Sequence, residues 1–276
     1  MAFTKCSLIF LFAQFPFFLW AADFYSPRTA ALGGAGHASP ECNDAIYLNP
    51  AYLSFLKIYG ISGNFQLDPS SNSHLFNISI ADGTKGLIFH AGISYTYGKN
   101  NQLIHFSISK DILETLGLGI GGKIIWSNVP PTGKAIEAYF SIFQKITPWL
   151  QISILIDNLF SHCAKWGLHR EITLGTQWNI NSIFFLFFDP LWVFNESQEK
   201  KLGYQLGLEI PFLDSLFFRL GKFQNVRMIE QRYRGEGYGI GVGWQAPKIS
   251  LNYGLSFSAL SSKKIMTHYF GLNVYL

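Results

Sequence analysis

From Ile58 to the C-terminus, apolar and polar residues alternate in short runs with a period of two, the mark of strands with one apolar face. The clearest run is Ile249 to Ser258. Ile249, Leu251, Tyr253, Leu255 and Phe257 alternate there with Ser250, Asn252, Gly254, Ser256 and Ser258. Gly237 to Trp244 sets four glycines against Tyr238, Ile240, Val242 and Trp244, and Leu202 to Ile210 repeats the pattern. The period predicts fourteen strands, near 58–67, 75–81, 86–97, 101–110, 116–126, 135–143, 150–158, 170–178, 183–188, 202–210, 216–222, 237–244, 249–257 and 266–275. The ninth, IFFLFF, is apolar on both faces. No helical period longer than a turn or two competes. An even count of strands, most of them near the roughly 9–11 residues that cross a bilayer at a tilt, predicts an all-β fold: a transmembrane antiparallel β-barrel.

The connections agree with that reading. On the side of the N-terminus they are short, around ADGTK, DILET, QKITPW, NINS, FLDS and QAPK. On the other side they are longer and polar apart from GKN, among them SNVPPTGK, LFSHCAKWGLH, DPLWVFNESQEKK and FQNVRMIEQRYRGEG. Bacterial outer-membrane barrels have this asymmetry of short periplasmic turns and longer outer loops. Trp126, Trp149, Trp178, Trp192 and Trp244 fall near strand ends, where aromatic girdles meet the membrane interfaces.

Composition sharpens the picture. Of 276 residues, 49% are hydrophobic and only 14% charged, where a soluble domain carries about a quarter. Mean hydropathy is +0.18. Beyond the first twenty residues no apolar run is long enough for a spanning helix, which leaves the closed barrel as the lipid-compatible fold. The net charge of +4 is carried by scattered basic residues, so no nucleic-acid partner is expected.

Residues 1–21 predict a signal peptide: Lys5 supplies the positive start, Cys6 to Leu19 the apolar core, and Ala21 or Ala22 the small residue at cleavage. The mature chain keeps Cys42 and Cys163, which allows one bridge without demanding it. No nucleophile elbow, HExxH or paired-cysteine spacing occurs, so neither catalysis nor a cofactor or metal is expected. His90 and His105 face inward on adjacent strands but several residues out of register.

Between leader and strands lies Ser26 to Leu53, a non-repeating stretch of small residues. It has no core of its own, and a barrel of fourteen strands has a lumen wide enough to hold it. Residues 22–57 are therefore expected to form an N-terminal hatch or plug, with 58–276 as the barrel. Gly33, Gly34 and Gly36 permit tight turns or close approach to the wall. Asn49, Pro50 and Ala51 set a turn, with Asp44 and Asn49 as candidate side-chain caps. The inward rows Gly117, Gly119, Gly121 and Gly237, Gly239, Gly241, Gly243 either make room for this segment or permit the wall to curve.

At the same stretch the sequence resembles the FadL-type (long-chain fatty-acid transporter) superfamily of outer-membrane barrels. It is most similar to a shorter branch that includes the PorV-type proteins of a secretion system. Arg28, Ala31, Leu32-Gly33-Gly34-Ala35-Gly36, Ala38, Asp44-Ala45, Asn49-Pro50-Ala51 and Leu53 carry the resemblance, with LGLEIPF, LFFRLG, GYGIGVGW and ISLNYGLSF later in the chain. It implies a fourteen-stranded barrel with a luminal hatch. The implied role is either passage of hydrophobic compounds across the outer membrane or a scaffold that docks secreted or membrane proteins. The chain departs from the fatty-acid transporters in being much shorter, and it ends in Leu276 where a terminal Phe is usual.

Strand phase turns Lys123, Glu137, Asp157, Glu171, Glu209 and Arg219 toward the lumen. Hairpin arithmetic places Lys123 near Glu137, Glu209 near Arg219 and Asp157 opposite Glu171. These charges form either a polar path with a headgroup patch or pairs that satisfy one another and the plug. Arg227, Arg232 and Arg234 form a basic loop for lipopolysaccharide or solvent. Expected partners are outer-membrane lipids, a hydrophobic small-molecule ligand and, in the scaffold reading, proteins.

Overall fold

The computed structural model describes residues 24–69, 72–128, 132–160, 168–194, 200–225, 235–260 and 263–276. The expected leader, Cys163 and the arginine-bearing loop lie outside the described residues. Fourteen strands form one closed antiparallel barrel in sequence order. They are β1 (Tyr59–Asp68), β2 (Ser73–Asp82), β3 (His90–Gly98), β4 (Asn101–Leu113), β5 (Leu116–Ser127), β6 (Gly133–Thr147) and β7 (Leu150–Asp157). There follow β8 (Arg170–Ile180), β9 (Phe184–Phe194), β10 (Lys200–Phe212), β11 (Leu216–Asn225), β12 (Gly235–Ala246), β13 (Ile249–Leu260) and β14 (Lys263–Tyr275). The ring closes where β1 pairs β14, from Gly60 opposite Tyr275 to Leu67 opposite His268.

The barrel is inside-out relative to a soluble one. Its outer face exposes Ile78, Ile93, Phe106, Ile108, Ile120, Ile240, Phe270 and Leu272, while its buried interior collects Ser62, Asn77, Ser94, Thr96, Ser107, Glu137 and Arg219. An apolar belt outside and polar groups inside suit a wall that faces lipid. Strand β12 shows how the sequence produces it: Tyr238, Ile240, Val242 and Trp244 point out, and the glycines between them are buried.

Several strands run longer than expected, β6 for example to Thr147 rather than 143, and β3 and β9 differ in ways that the wall explains. β3 begins at His90 rather than at residue 86, and Leu87, Ile88 and Phe89 are exposed in an irregular stretch before it. β9 continues to Phe194 rather than stopping at 188, through Asp189 and Pro190. Proline cannot donate to a ladder, and the β8–β9 pairing is interrupted where Leu174–Thr176 face Phe188–Pro190. β10 pairs this part of β9 continuously from the other side, which keeps it in the sheet.

Residues 24–57 run through the lumen as short helical turns. α1 (Pro27–Ala31) is capped by Ser26, whose hydroxyl accepts from the Thr29 amide at 3.2 Å, and has proline at its first position. Gly33 at φ +67°, Gly34 at +89° and Gly36 at +122° then turn the chain through conformations other residues rarely adopt. A 3-10 turn at Cys42–Asp44 leads into α2 (Ala45–Leu48), and a second at Pro50–Tyr52 into α3 (Leu53–Leu56). Asn49, at φ −163° and ψ 84°, lies outside the helical region that a following proline disfavours.

Candidate functional site: a segment seated in the lumen

The wall is cut to glycine where the luminal segment touches it. A β-carbon on Gly239 would lie 2.3 Å from the Ala30 carbonyl oxygen, and one on Gly221 2.1 Å from the Leu32 carbonyl carbon. On the opposite side a β-carbon on Gly119 would lie 2.2 Å from the Ala51 amide nitrogen, and one on Gly117 2.7 Å from its oxygen. Close backbone approach therefore explains Gly117, Gly119 and Gly239, while Gly241 makes room for the Ala31 methyl. Backbone approach does not explain the rest of the two rows. Gly121 makes room for the Tyr139 ring, Gly237 for Phe223, and Gly243 for the Arg219 and Asn252 side chains.

Charged contacts fasten the first half of the segment. Glu209 on β10 receives Arg28 through two hydrogen bonds of 2.9 and 3.1 Å, and Arg219 on β11 through a third of 2.6 Å. Arg28 also donates to the Ser39 carbonyl at 2.9 Å, and Arg219 to Asn252 at 2.6 Å. Burial disfavours the Arg28 charge, but Glu209 outweighs it and raises the guanidinium above its ordinary value. Glu41 accepts from Asn252 and Asn273 at 3.1 and 3.0 Å, and from Ser250 and Tyr275 at 3.3 Å each. Asp189 on β9 accepts the amides of Gly36 and His37 at 2.8 and 3.0 Å and lies 2.8 Å from the His37 ring nitrogen. Its other oxygen takes the Thr176 amide at 3.0 Å, in the gap of the β8–β9 ladder.

Asp44 ties the segment to itself. Its carboxylate accepts from the hydroxyls of Ser26, of Thr29 at 2.9 Å and of Tyr47 at 2.6 Å. Burial first, then Glu41, push Asp44 up to about 6 in spite of those bonds. Neither Asp44 nor Asn49 caps a helix with its side chain. The Asn49 amide instead donates to the His37 carbonyl at 2.7 Å, because the chain returns past residue 37 on its way across the lumen. Cys42 is buried against Gly60 with its thiol pushed up to about 12 by burial and by Glu41.

The second half has fewer ties. The Ala51 amide donates to the Ser141 hydroxyl at 2.8 Å, Tyr139 donates to the Ile46 carbonyl at 2.8 Å, and Asn43 donates to Ser79 at 3.0 Å. Beside it a residual void of about 30 Å³ is lined by Phe24, Tyr47, His105, Lys123, Tyr139 and Asp157.

The inward charges are buried as the strand phase requires, and Glu209 faces Arg219 across β10–β11. Lys123 stands opposite Glu137 in register, but its ammonium goes to Asp157 at 2.7 Å. Glu137 turns one oxygen to the Phe160 amide at 3.2 Å instead. Asp157 and Glu171 are directly opposite, whereas His90 pairs with Ser109 and His105 with Ser94, four positions apart along the hairpin. Sequence reasoning missed Glu41, Tyr139 and Asp189 as wall-to-segment contacts. Asp189 had a visible signal, a carboxylate beside proline in an otherwise apolar run. Among the described residues no group of three His, Cys, Asp or Glu side chains is placed to hold a metal ion.

This architecture defines a class: a closed fourteen-stranded barrel of the outer-membrane type, with a chain segment in its lumen. Solved structures share it. The CymD monoaromatic hydrocarbon channel superposes with a TM-score of 0.68 at 11% identity, over 91% of this chain and 96% of that one. The Pseudomonas putida toluene transporter TodX gives 0.66 at 11% identity, over 91% and 97%. The Acinetobacter baumannii outer-membrane protein Omp33 gives 0.54 at 11% identity, over 80% and 98%. The fold is thus that of the FadL-type barrels to which CymD and TodX belong. No family model matches the sequence, and no curated protein matches it.

Proposed function

We propose that the chain resides in the bacterial outer membrane and passes small hydrophobic, fatty-acid-like molecules, with residues 22–57 as the gating hatch. One observation carries this reading. A segment crosses the lumen and is held to the wall by noncovalent contacts, so displacing it would open a path. In the wall that surrounds it the β8–β9 ladder is interrupted at Leu174–Thr176, and Leu87–Phe89 is an exposed apolar connection before β3. The names of CymD and TodX, a hydrocarbon channel and a toluene transporter, support the same chemistry. Membrane lipids are the partners of the exposed apolar belt, and no catalytic step is part of the proposal.

A second reading, a PorV-like scaffold for secreted or membrane proteins, draws on a different observation. The segment and the paired charges pack against the inner wall, and the void lined by Phe24, Tyr47, His105 and Lys123 is about 30 Å³, too small for a hydrophobic cargo.

A reversible lock separates the two. A β-carbon on Gly60 would lie 3.5 Å from that of Cys42, at the short end of the roughly 3.5–4.5 Å range of disulfides. In a Cys163→Ser background, Gly60→Cys would staple the segment to β1. Liposomes carrying this variant should take up a hydrophobic tracer only after reduction. Equal uptake in the oxidised and reduced states would remove the gate. No uptake in either state, together with a protein retained by the barrel, would favour the scaffold.

A further inference from the structure

The inner wall of β3 and β4 carries polar side chains that the luminal segment leaves unsatisfied. His105, Ser107 and Ser109 alternate up the inner face of β4 as a column about 14 Å long, at roughly 3.4 Å per residue. His90 stands beside Ser109 on β3. All four are at least nine-tenths buried, at 3%, 1%, 2% and 5% exposure. The hydroxyls of Ser107 and Ser109 and the Nδ1 atoms of His90 and His105 have no hydrogen-bond partner.

What covers them is mostly apolar. α2, α3 and the Pro50–Tyr52 turn pack on β4. Ile46 fills the space over neighbouring Gly92, Pro50 and Ala51 press on Gly119, and the Tyr47 ring lies 5.5 Å from the His105 ring. Buried polar groups are normally paired, and an exception needs a reason. A structural wall built to stay shut under an apolar cover would itself be apolar, as Leu103 and Ile125 are one step further along.

We infer that this column is a binding track for the uncharged, hydrogen-bonding head of a small amphiphile, with Ala45–Leu56 as its removable cover. The inference rests on the hatch reading above and changes its ligand in one respect: a chain like that of a fatty acid, but with an uncharged head in place of the carboxylate. Hydroxyls and imidazole nitrogens offer both donors and acceptors to an alcohol or phenol. The column itself holds no carboxylate or ammonium. The nearest fixed charge, Lys123 opposite His105, is already paired to Asp157 at 2.7 Å. A carboxylate would find no free cation there, and a bare hydrocarbon would leave the hydroxyls unsatisfied. The void beside His105 and Tyr47 lies at one end of the track.

The test is equilibrium binding of tritiated dodecan-1-ol, dodecanoate and dodecane to the full chain in nanodiscs at pH 8. Dodecanol should bind about tenfold more tightly than either competitor, and Ser107→Ala with Ser109→Ala should abolish that preference, as loss of one or two hydrogen bonds predicts. Replacing hydroxyls that have no partner leaves the barrel folded, so circular dichroism and the melting midpoint should be unchanged or raised. The oxidised Cys42–Gly60→Cys lock should block dodecanol binding and reduction restore it. Preference for dodecanoate or dodecane, or a dodecanol preference that survives both alanine changes, overturns the track. Passage without head preference also overturns it while leaving the gate intact. Serine-dependent dodecanol binding without passage removes the gate and leaves the track.

Discussion

The two halves of the luminal segment meet the wall in opposite ways. Ser26–Glu41 faces β8–β14, with charge as the main tie: Arg28 and Arg219 on Glu209, Glu41 on Asn252 and Asn273, and Asp189 on two backbone amides. Cys42–Leu56 faces β1–β6 through close packing and a few neutral hydrogen bonds, over side chains left without partners. Removing one partner of a buried charge network costs far more than removing one packing contact. On the gating reading proposed above, the first half is the anchor and the second the part that should leave first.

Glu209→Ala tests the anchor most severely. It strands two buried guanidinium groups, and breaking such a pair costs about 3–5 kcal/mol. The melting midpoint should fall, and amides of residues 27–41 should exchange hydrogen faster than those of the barrel strands. If exchange instead rises only in residues 45–56, the assignment of anchor and cover is reversed.

Gly119→Ala acts on the other half. Its β-carbon would lie 2.2 Å from the Ala51 amide nitrogen and 2.5 Å from the Pro50 carbonyl carbon. Backbone cannot yield as a flexible side chain can, so the cover must shift, at about 1–3 kcal/mol for overpacking. Conductance in planar bilayers should rise over the wild-type chain while the Arg28–Glu209 contact persists. Conductance at the wild-type level would mean that the cover is not what seals the lumen.

The contrast between halves was only partly legible in the sequence. Strand count and phase were readable, because period two repeats in nearly every run and the wall alternates with it. The ends of β3 and β9 were not. Leu87-Ile88-Phe89 is apolar enough to extend a strand yet stays irregular, and Pro190 looks like a stop until β10 is seen holding β9 from its other edge. Of the site, Glu209 with Arg219 followed from hairpin arithmetic, since both lie on adjacent strands. Arg28 with Glu209 is 181 residues apart in sequence and depends on how the segment enters the lumen, which no local pattern encodes. The Lys123 ammonium illustrates the same limit. Register puts it opposite Glu137, but a long side chain chooses among neighbours, and it reaches Asp157.

The smallest effect concerns Asp44, at the junction between the halves. Its hydroxyl partners Ser26 and Thr29 belong to the anchor and Tyr47 to the cover. Burial and Glu41 raise its carboxyl from 3.8 to about 6, so the folded segment holds this proton more tightly than the unfolded chain. The sign follows from linkage: the contribution is fully present below about pH 4 and is lost as pH rises through about 6. Between pH 5 and 8 the segment should loosen by about 1 kcal/mol from this group. Hydrogen exchange of residues 42–48 should be faster at pH 8 after correction for the intrinsic rate, with the strands unchanged. Asp44→Asn keeps an oxygen for the hydroxyls and removes the ionisation, so the pH dependence should disappear. If it persists in that variant, the junction titrates elsewhere, and the cover is not tied to the anchor through Asp44.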